Sequence, residues 1–92
     1  MQNITQQTLK NYRHIQVEIE AFDAVAQDCR ERIAQLIEVD KLYQQVAEQF
    51  TSEPAEAAEY AETIQQTVTA YREMEKRAID NALHLVQMKA QI

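Results

Sequence analysis

From Tyr12 to Phe50 the chain places seam residues at alternating spacings of four and three: Tyr12, Ile15, Ile19, Phe22, Ala26, Cys29, Ile33, Leu36, Asp40, Tyr43, Ala47 and Phe50. Asp40 is the one charged member of the series. A period of 3.5 residues keeps one face of an α-helix turned toward the same neighbour, so the pattern predicts a long helix whose seam meets another helix. A second, looser series follows: Ala57, Tyr60/Ala61, Ile64, Thr67/Val68, Tyr71, Met74, Ala78, Ala82, Leu85, Met88 and Ile92. It too keeps one continuous face.

Between the two series lies Thr51-Ser52-Glu53-Pro54, which holds the only proline of a chain that contains no glycine. Proline is accepted in the first turn of a helix, where amide protons lack partners anyway, and Ser52 or Glu53 is placed to cap the amides behind it. Without glycine, further tight turns are disfavoured. The prediction is all-α: an antiparallel, coiled-coil-like two-helix hairpin forming one domain over residues 1–92. Helix 1 is expected over about 5–50, the turn over 51–54 and helix 2 over about 54–91. At ~1.5 Å per residue the helices would run ~69 and ~57 Å, so roughly ten N-terminal residues should overhang and fray. Folding about residue 52 sets Phe22 near Ala82, Ile33 near Tyr71, Tyr43 near Tyr60/Ala61 and Ala47 near Ala57.

A lone hairpin leaves apolar residues uncovered. Val25, Val39, Leu42 and Val46 lie beside or beyond the helix 1 seam. Ile79, Leu83, Val86 and Ala90 form a second stripe on helix 2, away from the face of Ala78 and Leu85. A helix apolar on two sides expects two neighbours. The hairpin is therefore expected to complete a four-helix bundle, by homodimerisation or around a helix from another protein. Candidate partner-binding residues are Val39, Leu42, Val46, Ile79, Leu83 and Val86. Ala26, Cys29 and Ala78 join them, because their thin layer calls either for close helix approach or for a third helix to fill it. Asp40 completes the set, either snorkelling beside Lys41 or fixing register against a cation on a partner.

Charge and chemistry narrow the function. The formal net charge is -6. Glu48, Glu53, Glu56, Glu59 and Glu62 gather around the turn, and no Lys or Arg occurs between Lys41 and Arg72. Such a surface argues against nucleic acid or an anionic membrane as partner, and suits helix capping, solubility or a basic partner. The N-terminal residues lack a secretory leader's basic and apolar regions, and no stretch approaches a membrane span, so a cytoplasmic location is expected. A carboxylate-bridged metal bundle needs Glu-x-x-His pairs, yet Asn11 and Asn81 stand three residues before His14 and His84. Cys29 has no second thiol to join. The tyrosines fall on seam positions and Ser52 sits in the turn, so no catalytic, cofactor or metal site is expected and the chain reads as non-enzymatic.

The Ser52-Glu53-Pro54 turn, the following Ala55-Glu56-Ala57-Ala58-Glu59-Tyr60, and the helix carrying Tyr71 and Ala82-Leu83 resemble the small acidic chaperones of bacterial type III secretion systems. That resemblance spans roughly residues 45–86. It implies a non-enzymatic chaperone that shields the amphipathic helices of a filament, needle or translocator subunit before export. A structural or regulatory dimer without an export role would use the same seams. A secreted helical hairpin is a further reading: Tyr71-x-x-x-Glu75 resembles the tail signal of such proteins, but the Trp-x-Gly of their turn is missing.

Overall fold

The computed structural model describes residues 5–50 and 54–92, with the side chain of Phe50 outside that description. The proposed Ser52 and Glu53 caps lie outside the described residues. Two helices make the fold, α1 over Gln6–Phe50 and α2 over Pro54–Ala90, packed antiparallel as an all-α hairpin.

The helix ends follow from local chemistry. Thr5 caps α1: its Oγ1 accepts a hydrogen bond from the Thr8 amide at 3.1 Å, and its carbonyl accepts one from the Leu9 amide. This cap satisfies donors that a helix start otherwise leaves unpaired. The overhang expected to fray is therefore helical from Gln6 onward. At α2, Pro54 occupies the first position, Glu56 lies in the first turn and Lys89 in the last, each charge opposing the helix dipole.

Facing seams meet in the expected register. The rings of Tyr43 and Tyr60 stack with centroids 4.1 Å apart and planes 29° off parallel. Phe22 shares a groove with Asn81 and Leu85, and Leu36 shares one with Thr67 and Tyr71. Ala26, Cys29 and Ala78 are 2%, 1% and 4% exposed. Small side chains there let the backbones close together, so the hairpin itself covers the layer and no third helix is needed at that point.

Helix 2 departs from the expected seam in its second half. Met74 and Met88 are exposed, while Glu75 and Lys89 are half-buried in their place. Buried Val68 and Ala82 lie seven residues either side of Glu75, and Lys89 lies seven beyond Ala82, so one row points Val68, Glu75, Ala82 and Lys89 at α1. Glu75 and Lys89 remain there because each finds a polar partner on α1. Arg30 Nε lies 3.6 Å from Glu75 Oε1, and Lys89 Nζ donates to Gln16 Oε1.

The fully covered residues are mostly small: Ala26, Cys29, Ala47, Val68, Ala78 and Ala82, joined by Ile19 and Ile64. The bulky seam residues Phe22, Ile33, Leu36, Tyr43, Tyr60, Tyr71 and Leu85 are only half-buried. Two cylinders in contact enclose what lies on the contact line and leave large side chains projecting past it. The molecule is a rod of 74 × 15 × 14 Å with a radius of gyration of 21.0 Å, against about 12 Å for a compact domain of this length. Its accessible surface is 7364 Å², where a compact monomer of its mass would expose about 5,500 Å².

Candidate partner-binding surface

The two long flanks of the rod differ. One carries polar links between the helices: Gln16 with Lys89, Arg30 with Glu75, and Gln44, whose Nε2 donates to the Ala57 carbonyl at 2.9 Å. These three α1 residues recur at multiples of seven, as one row of a heptad must. Ile37 belongs to the same row, and on α2 Ile79 follows Glu75 by four residues and Val86 follows Ala82 by four. We call this side the linked flank; it bears Ile37, Ile79, Leu83 and Val86.

The opposite side is the valine flank. Val25, Val39 and Val46 share one α1 row with Arg32, and Leu42 lies just outside it. Val39 and Arg32 line a groove with Thr67 and Tyr71, and two further grooves on the same side are lined by Glu18, Phe22 and His84 and by Asn11, Ile15 and Met88. The Arg32 guanidinium is held above its usual pKa, chiefly by its hydrogen bond to Asp28 at 3.0 Å and also by Tyr71.

The candidate residues thus divide three ways. Leu42, Val46 and Leu83 are 52%, 56% and 57% exposed, and Val39 and Val86 are also exposed. Val39, Leu42 and Val46 occupy the valine flank toward the turn. Ile79, which is half-buried, lies with Leu83 and Val86 on the linked flank toward the open end. Ala26, Cys29 and Ala78 sit inside the hairpin, facing the other helix rather than an open surface. Asp40 is half-buried and accepts a hydrogen bond from Gln44 Nε2 at 3.3 Å, an amide on its own helix in place of a basic partner.

Sequence reading missed Gln44. Its spacing marks it only as a residue beside the seam, and a polar side chain there gives no sign that it will bridge Asp40 and the first turn of α2. It also missed Lys89, whose ammonium stands 4.7 Å above the Tyr12 ring as well as bonding Gln16. Desolvated against an aromatic face, a cation gains from the ring quadrupole.

Among the described residues no cluster of three His, Cys, Asp or Glu side chains is placed to hold a metal ion. His14 is exposed, 3.8 Å from Glu18. No described helix is long and apolar enough to cross a membrane. No protein-family model, curated protein or solved structure matches the chain. The surface chemistry of the hairpin is then the ground for a functional reading.

Proposed function

We propose that the chain is a non-enzymatic, cytoplasmic protein-binding chaperone that shields the amphipathic helices of a polymerising type III secretion subunit before export. The observation that supports it is the exposure of apolar rows on both flanks of a rod too thin to cover them. An amphipathic client helix laid along such a row would bury its own apolar face, as helix-in-groove recognition requires. The secretion context comes from the resemblance over residues 45–86. The client is assigned to the linked flank, where Ile79, Leu83 and Val86, with Ala90 beyond them, form an apolar stripe at helical spacing.

Affinity capture of the tagged chain from its native host, followed by mass spectrometry, tests the reading. A helical subunit destined for export should be recovered at near-stoichiometric yield. Ile79→Asp combined with Leu83→Asp should abolish that recovery. Recovery unchanged by the pair would move the client surface elsewhere, and recovery of no exported subunit would refute the chaperone reading.

A further inference from the structure

We propose that two copies of this chain pair side by side and antiparallel through their valine flanks, each acidic turn end lying against the other copy's basic open end. The proposal stands apart from client binding, which is assigned to the opposite flank.

Charge is distributed unevenly along the rod. Between residues 37 and 70, the turn half, seven carboxylates (Glu38, Asp40, Glu48, Glu53, Glu56, Glu59 and Glu62) accompany one base, Lys41, so the whole net charge of -6 belongs to that half. In the other half acids and bases balance. Its outermost described segments, residues 5–17 and 81–92, carry Lys10, Arg13 and Lys89 and no acidic side chain. Parallel pairing would set one acidic end against another. Antiparallel pairing moves the two acidic turn halves to opposite ends of the pair and lays each beside an open end that lacks acidic side chains, and a two-fold axis across the middle of the rod makes the two contacts identical.

Area and shape select a second copy as occupant and the valine flank as its seat. Each rod exposes about 1,900 Å² more than a compact monomer of its mass would, ample for the ~800 Å² per partner of an ordinary stable interface. Rows of the linked flank interleave Arg30, Lys41, Glu48, Glu62 and Lys76 with their apolar members, whereas the valine flank is more sparsely charged. With the axis near residues 28 and 75, Val39 of one copy comes level with Leu85 and Val86 of the other, and Val46, 18 residues from the axis, comes level with the second copy's C-terminal Ile92. The groove lined by Phe22, His84 and Leu85 can receive such side chains.

The test combines mass with orientation. Sedimentation of the native chain at micromolar concentration should give twice the chain mass; a monomer overturns the proposal. In a Cys29→Ala, Gln49→Cys chain carrying one spin label near the turn, antiparallel pairing predicts a label separation of about 60 Å, from twice the 21 residues between Gln49 and the axis at ~1.5 Å each. A separation of about 20–30 Å would mean parallel pairing and refute the proposal. Val39→Asp with Val46→Asp alters only exposed positions and should leave the chain monomeric. Ile79→Asp with Leu83→Asp should leave the dimer intact, and the reverse outcome would assign the interface to the wrong flank.

Discussion

At Cys29 the small side chain is what lets the two backbones approach, since it is buried with Ala26 and Ala78 in one thin layer. Cys29→Leu should cost about 1–3 kcal/mol by overpacking, read as a lower urea midpoint in chemical denaturation. No loss would mean that the layer has spare volume. Gln44 acts differently, holding Asp40 and the Ala57 carbonyl with one amide. Gln44→Ala should cost about 0.5–1.5 kcal/mol in the same experiment. Asp40→Leu should stabilise the chain while broadening its oligomer distribution, because a half-buried charge gives way to apolar packing. The seam was legible for residues such as Ile19, Ala26, Cys29 and Ala47, because burial in α1 follows the heptad period directly. Gln44 and Lys89 were not, because a polar residue beside a seam reads as solvated until the facing helix supplies its partner.

At the scale of the helix, the start of α1 rests on its Thr5 cap. The helix carries no acidic residue in its first turn and no basic residue in its last, so Thr5 alone supplies the compensation seen there. Thr5→Ala should release local stability of about 0.5–2 kcal/mol, seen as faster amide exchange at Thr8 and Leu9 with little change around Cys29. Unchanged exchange would mean that packing rather than the cap orders this end. The proline and the missing glycine made the two-helix division legible. The turning of Glu75 rather than Met74 toward α1 was not, because positions 74 and 75 both fit a loose seam spacing, the apolar side chain favours 74, and only Arg30 across the interface favours Glu75.

For the whole molecule, the decisive property is a rod whose largest seam residues remain half-buried and whose flanks carry exposed Leu42, Val46 and Leu83. Helix formation at this length draws on tertiary packing, and here one hairpin supplies only a single line of contact. The candidate surface was legible as a set of apolar rows. Its division between two flanks was not, because sequence spacing places a row on its own helix and only the packed register shows which rows of α1 and α2 share a side. The most direct test is a dilution series of the native chain, followed together by sedimentation equilibrium and far-ultraviolet circular dichroism. The account predicts at least two chains per particle at micromolar concentration, with helix content falling as dilution separates them; a fully helical monomer that melts cooperatively throughout the series would contradict it.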